Sequence, residues 1–287
     1  VIAETSTIAI YGPGLLGGSL ALAIQDRFPQ VRLRLWARRE AAEAGIRQRG
    51  IQAAFFTDAT AAAQGASLII LCTPVETMPA LAAQIAHAEL APDGLVTDVG
   101  SVKGSVVRAL EPVFGSRFIG SHPMAGSEKT GVEAARADLF QNAVCLITPT
   151  TTGEPAPLET LRAFWQAVGC RVLEMTPEEH DDKVARISHL PHMMAVVTTL
   201  AALRTDPGAV ACVANGFRDT TRVAGGDPGL WTGIALENRA ALLTQLQAAS
   251  ATLTELLEIL GKPDEEELRR FLAEAQRLRQ TVPAAVS

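Results

Sequence analysis

Apolar residues in the first half of the chain fall into short runs separated by polar or glycine-bearing turns, with stretches of helical spacing between them. Residues 8–11 form the first run, and residues 31–36, 67–72, 95–99, 117–120, 144–148 and 171–174 follow as predicted strands. The Leu-Ile-Ile-Leu core at 68–71 is apolar on both faces, as expected of a strand covered by helices on either side. Helices are predicted over residues 18–24, from Glu40, after a cap at Thr57 or Asp58, and over 76–87 and 158–167. Alternating strands and helices predict an α/β fold with a parallel sheet. Beyond Met175 the pattern turns wholly helical. Thr176 caps a first helix with Pro177 and two acids in its first turn, and Asp206-Pro207 starts a short one. Asp227 and Pro228 open a long one reaching about Leu260, with Leu243, Leu246, Leu253 and Leu257 at helical spacing. Gly261 and Pro263 close it, and a last amphipathic helix follows Asp264.

The first strand runs into Gly12-Pro13-Gly14-Leu15-Leu16-Gly17 and then a small, apolar helix. In that context the glycines read as a phosphate cradle. Gly12 makes the tight turn, Gly14 lets the backbone approach a pyrophosphate, and Gly17 lets helix and strand pack closely. Free N–H groups at the helix start, around Leu15 and Leu16, favour the anion. The predicted architecture is therefore a doubly wound, Rossmann-type dinucleotide domain over residues 1–175 and an all-helical domain over 176–287. Thr73 and Pro74, following the 67–72 strand, fall at the ligand edge of that sheet. Where an acid would hold the ribose of NAD, at the end of the second strand, the chain has Ala37, Arg38 and Arg39. Two guanidiniums suit a 2′-phosphate, so NADP is expected over NAD, with NAD still possible.

Composition narrows the class. With 287 residues, 48% of them apolar, the chain can build two domains and a large core. A net charge of −6 without a basic run argues against nucleic acid or a membrane surface as partner. No stretch reaches the roughly 18 apolar residues of a membrane span, and residues 1–5 are too short for a signal peptide, so a cytoplasmic location is expected. Cys72, Cys145, Cys170 and Cys212, scattered among apolar neighbours without metal-type spacing, read as reduced core residues, with neither a disulfide nor a metal site expected. The many apolar stripes of the helical domain imply a core shared with a second subunit.

Chemistry-bearing residues cluster after strand ends. Ser101 follows the 95–99 strand, and His122, stiffened by Pro123, follows the 117–120 strand at the same edge. In the helix after Thr176, Asp181, Ser188 and His192 stand seven and four residues apart, within about 20° of one face of an unbroken α-helix. Such a polar stripe needs a ligand or a hydrogen-bonded network. Pro191 leaves the Ile187 carbonyl without its donor and is expected to kink the helix there.

Asp98-Val-Gly-Ser-Val-Lys103, the run Ser121-His-Pro-Met-Ala-Gly-Ser-Glu128, Ser188-His-Leu-Pro-His192 and Gly216-Phe-Arg-Asp-Thr-Thr-Arg222, with Trp231 beyond, occur in this order. Together they closely resemble the prephenate and arogenate dehydrogenase family of tyrosine biosynthesis over essentially the whole chain. The resemblance implies NAD(P)-dependent oxidative decarboxylation of a cyclohexadienol. His122 would act as base on the ring hydroxyl. Ser101 would orient it or bridge substrate and nicotinamide. Arg222 matches the position that grips the ring carboxylate, and His192 the one contacting the pyruvyl side chain. Glu128, Asp181 and Trp231 are implied gating or packing residues, and Ser188 shares the substrate-facing stripe. Prephenate is the expected substrate because His192 is present. Arogenate, or both substrates, is the alternative, and a catalytically inactive nucleotide sensor is a non-enzyme one. A hydroxyacid dehydrogenase would need a catalytic lysine in the first long helix of the second domain, where only Lys183 stands.

Overall fold

Strand formation follows the apolar runs. In the computed structural model, which describes residues 6–127, 129–149 and 155–283, the first sheet contains β1 (Thr7–Tyr11), β2 (Arg32–Trp36), β3 (Ala54–Phe56), β4 (Leu68–Leu71) and β5 (Leu95–Asp98). All pair in parallel, in the order β3-β2-β1-β4-β5. Side chains alternate across a strand, so β1 supplies both faces. Ile8 and Ile10 enter one core with Leu35, Ile70 and residues of α1 (Leu15–Arg27), while Ala9 and Tyr11 enter the other with Ile69 and Leu71. Helices α2 (Ala42–Gln48), α3 (Ala59–Ala63), α4 (Met78–Ile85) and α5 (Gly104–Phe114) connect the strands. The Asp58 carboxylate caps α3, accepting from the amides of Thr60 at 2.9 Å and Ala61 at 3.1 Å.

Two elements escape the sequence pattern. β3 is a three-residue edge strand, too short to show alternation. α5 begins at a glycine and carries Pro112 inside, both poor helix signals. A third difference bears on the site. The strand expected over residues 117–120 is β6 (Gly120–Pro123). Phe118 makes only a single parallel bridge to Val96. β6 then pairs antiparallel with β7 (Val144–Thr148), which runs parallel to β8 (Arg171–Glu174) in a separate three-stranded sheet. His122 therefore lies within a strand, not in the loop after one. Between β7 and β8 runs α6 (Pro155–Val168), whose Phe164 and Trp165 fill the first core.

After β8 the chain is helical. Thr176 and Glu179 form a reciprocal capping box on α7 (Pro177–Val184). A π turn over Ala185–His189 leads into α8 (Leu190–Leu203), with Pro191 in its first turn. The kink expected at Pro191 thus takes the form of a π turn just before it, where hydrogen bonds reach i→i+5. Next come a 3-10 turn (Pro207–Cys212), α9 (Asn215–Thr221), a 3-10 turn (Arg222–Gly225) and α10 (Pro228–Glu237). The long helix expected from Asp227 to Leu260 is two helices, because α10 stops at Asn238 and α11 (Arg239–Leu260) begins after it. Helix α12 (Glu265–Gln280) closes the described chain.

The chain divides into two compact units, 1–238 and 239–287. Every described residue of the site belongs to the first. In the second, Leu243, Leu253, Leu257, Leu260, Leu272 and Leu278 are exposed. No described helix is long and apolar enough to cross a membrane.

Candidate active site

The glycine turn has the geometry of a cradle. Gly12 adopts φ +93°, and a Cβ there would meet the Cys72 carbonyl oxygen at 2.9 Å. A Cβ on Gly17 would collide with the Gly12 oxygen, whereas at Gly14 it would meet nothing within 4 Å. The turn is thus closed towards β4 and α1 and open at Gly14, where backbone can meet a ligand. Leu15 and Leu16 start α1 with no side-chain cap on its first amides. Thr73 Oγ1, after β4, is buried without a hydrogen-bond partner, and Pro74 leads into the 3-10 turn Val75–Thr77. Arg38 and Arg39 are exposed just past β2. These residues fit a dinucleotide.

Beside this edge sits a buried polar network. Asp98 ends β5 and pairs with the Lys103 ammonium, both side chains wholly buried. Lys103 Nζ also donates to the Ser121 carbonyl at 2.9 Å. The Ser121 amide donates to Asp98 Oδ1 at 3.2 Å, and its hydroxyl to the Asp98 carbonyl at 2.6 Å. The start of β6 is therefore gripped on both sides of its backbone, which sets the place of His122.

His122 is 7% exposed, and its Nδ1 lies 2.9 Å from Nε2 of His180 on α7. His180 Nδ1 in turn lies 2.9 Å from Asp181 Oδ1. Asp181 caps α5, accepting from the amides of Lys103 and Gly104, each at 2.8 Å. Burial would raise the Asp181 carboxyl, but the hydrogen bonds from His180 and these two amides hold it below the usual carboxylate range. His122 is pushed well below the ordinary imidazole value by burial, then by His180, Lys103 and His189. Burial also lowers His180, and takes His189 down to about 4. All three imidazoles are neutral at neutral pH.

The π turn builds the other wall. His189 and Asn238 come within 3.3 Å, and the Asn238 amide donates to the Asp181 carbonyl at 2.8 Å. Trp231 of α10 stacks on His192, ring centroids 3.4 Å apart and planes 12° apart, and meets His189 edge-on. His192 Nδ1 is buried without a hydrogen-bond partner, as expected of a group that awaits a ligand. Arg222 is exposed at the start of a 3-10 turn packed on α8.

The structure rearranges several expectations. Asp181, expected to face substrate with Ser188 and His192, turns to α5 and His180. Ser188 is half-buried, and the inward position of the π turn belongs to His189. The 3.6-residue phase fails across a π turn. Ser101 is half-buried and makes no side-chain hydrogen bond among the described residues, and the ring atom within hydrogen-bond distance of His122 Nδ1 is His180 Nε2. Glu128 lies outside the described residues. Lys183 is exposed. His180, His189, Lys103, Asp98 and Asn238 were not singled out. The run Asp98–Lys103 carries a signal for its two end residues and the run Ser188–His192 one for His189, whereas nothing in the sequence marks His180 or Asn238. No group of three or more potential ligands among the described residues could hold a metal.

A parallel sheet with a glycine cradle, and a buried neutral histidine at its edge, define a dinucleotide-dependent oxidoreductase. The chain belongs to the prephenate dehydrogenase family. Residues 20–174 match the family's nucleotide-binding domain and 176–274 its dimerization domain. It is 34% identical over 283 residues to the prephenate dehydrogenase of Bacillus subtilis, covering 96% of this chain and 76% of that one. The A. aeolicus prephenate dehydrogenase, solved with hydroxyphenyl propionate and NAD+, superposes with a TM-score of 0.88 at 30% identity, covering 97% of this chain and 99% of that one. Synechocystis arogenate dehydrogenase gives 0.80 at 34% identity, with coverages of 96% and 99%.

Proposed function

We propose that this enzyme oxidatively decarboxylates prephenate to 4-hydroxyphenylpyruvate with NADP as the preferred acceptor. Residues 1–175 form the dinucleotide-binding domain and 176–287 the helical substrate-binding and dimerisation domain, which pairs into a homodimer in the cytoplasm. The observation that carries the reading is His122: a neutral imidazole, held by a hydrogen bond at Nδ1, beside the dinucleotide edge. The cradle over residues 12–17, with Thr73 and Pro74, holds the pyrophosphate side, and Arg38 and Arg39 receive the 2′-phosphate. When bound, the dinucleotide supplies the acceptor for the hydride that leaves the ring carbon.

His122 accepts the proton of the ring hydroxyl as that oxygen becomes carbonyl-like. Ser101 binds between substrate and nicotinamide. Prephenate carries two carboxylates, and Arg222 pairs with the ring carboxylate, which departs as carbon dioxide. His192, backed by the face of Trp231, meets the pyruvyl side chain through its unpartnered Nδ1. The exposed leucines of the second unit support the homodimer.

Arogenate is the second reading, favoured by the 34% identity to the Synechocystis enzyme. Initial rates with prephenate and arogenate crossed against NADP and NAD decide. Prephenate is expected to be turned over better, and NADP to bind at least about tenfold tighter, or 1.4 kcal/mol. Equal Michaelis constants for the two dinucleotides refute the cofactor preference, and faster arogenate turnover refutes the substrate.

A further inference from the structure

The chain His122–His180–Asp181 fixes where protons sit on its rings. The Asp181 carboxylate is held below its usual range and already accepts two main-chain N–H groups, so it is an anion and accepts only. The atom facing it, His180 Nδ1, therefore carries a proton and donates to Oδ1. A neutral His180 then has a lone pair on Nε2. That nitrogen is 2.9 Å from His122 Nδ1, and a hydrogen bond between them requires His122 Nδ1–H as donor. His122 Nε2 is left bare.

We propose that His180 is a positioning residue that holds His122 in the Nδ1–H tautomer, with Nε2 as the proton acceptor, and that Asp181, on α7 and anchored by the first amides of α5, sets this direction. The inference rests on the reading of His122 as the base. In the reaction the hydroxyl O–H bond breaks, its proton forms a bond to His122 Nε2, and the electron pair stays on the oxygen. The positive charge on the His122 ring is then met by the His180 lone pair, which Asp181 backs. An isolated imidazole favours the opposite tautomer modestly, so without His180 much of the base would present an N–H to the substrate and take no proton.

Protonation of His180 reverses the device, because a cationic His180 would aim an N–H at His122 Nδ1. The two rings therefore titrate as a pair. The groups facing them are Lys103 at the head of α5, which opposes protonation, His189 on the π turn, Asp181 on α7 and Asp98 at the end of β5, with Cys145 on β7 against the main chain of His122. Burial raises the Cys145 thiol well above its ordinary value, so it contributes no charge at neutral pH.

Nitrogen-15 NMR of ring-labelled full-length protein reads the tautomer directly. His122 is expected to show a protonated Nδ1 and a bare Nε2, assigned by loss of its signals in His122→Asn. In His180→Leu those signals should move towards the Nε2–H form, and turnover should drop by about tenfold or more with the NADP Michaelis constant within about twofold of wild type. His180→Gln, whose side-chain oxygen can accept from Nδ1–H, should recover most of the loss and restore the tautomer. Wild-type His122 protonated at Nε2 overturns the proposal, as does a His180→Leu enzyme with unchanged turnover and pH profile. The tautomer is measured without turnover, so an enzyme inactive on prephenate and arogenate would overturn the functional reading while the NMR result still scored the relay. Should His180→Leu not fold, the wild-type spectrum and His180→Gln decide alone.

Discussion

At the scale of single residues, His122 differs from an ordinary surface histidine in charge and in the hydrogen bond that holds it. Its sequence motif suggests a base with a pKa near 6.5, but burial and the neighbouring Lys103, His180 and His189 push it well lower. The acid limb of kcat/KM for the free enzyme is therefore expected below pH 6.5, and the enzyme should keep its rate into mildly acid solution. His122→Asn should lower turnover by about 10²-fold or more with little change in NADP binding. A rate that halves near pH 6.5 in the wild type would contradict the burial argument. His192 calls for a different signature. Its stacking on Trp231 and unpartnered Nδ1 suit ground-state contact with substrate, so His192→Ala should raise the prephenate Michaelis constant more than it lowers turnover. Steady-state kinetics separate the two, and a pure loss of turnover at His192 would give it a transition-state role instead.

At the scale of elements, the pair Asp98–Lys103 ties three of them. It joins the end of β5, the head of α5 and the first residues of β6, and both charges are wholly buried. Removing one partner of such a pair strands the other charge, at a cost of about 3–5 kcal/mol. Lys103→Met should thus lower unfolding stability in urea by that order, while Asp98→Asn combined with Lys103→Met should lose less than the two single changes added together. Additive losses would mean that the charges do not depend on each other. The π turn matters in the same way. Residues nine apart in an α-helix point to opposite sides, about 180° from each other, yet His180 and His189 are both buried, and the Asn238 amide bridges the Asp181 carbonyl and His189. The turn before Pro191 makes that possible, and the end of α10 frees Asn238 to reach both.

At the scale of the molecule, buried neutral histidines make folding stability depend on pH. His122, His180 and His189 have folded pKa values below the ordinary 6.5, so between those values the unfolded chain binds more protons and stability rises with pH. Their contribution is complete above about pH 6.5 and is lost as pH falls, for His189 down to about 4. The urea midpoint is expected to drop between pH 7.5 and pH 5, and equal midpoints at the two would show that the imidazoles are not buried in solution. The second unit adds another whole-molecule feature: leucines at helical spacing on α11 that are exposed in the single chain, in a region that matches a dimerization domain.

The apolar runs determined β1, β4, β5 and β7, because strands buried on both faces leave an unbroken local signal, whereas β2 shows in the alternation of its leucines with arginines and the largely exposed β8 in the short Val172-Leu173 pair. The glycine turn was equally legible, since a positive φ and a close approach can be met only by glycine at Gly12. What the sequence could not hold was phase. The shift of β6 by three residues, the π turn and the break at Asn238 all come from contacts between distant segments. The Ser121 backbone is gripped by Asp98 and Lys103, Asp181 is drawn to α5, and Asn238 reaches the π turn. Those contacts chose His180 over Ser101 as the partner of His122, and His189 over Ser188 as the inward residue. A motif names residue types along a line, whereas hydrogen bonds between elements are settled only when burial forces each polar group to find a partner.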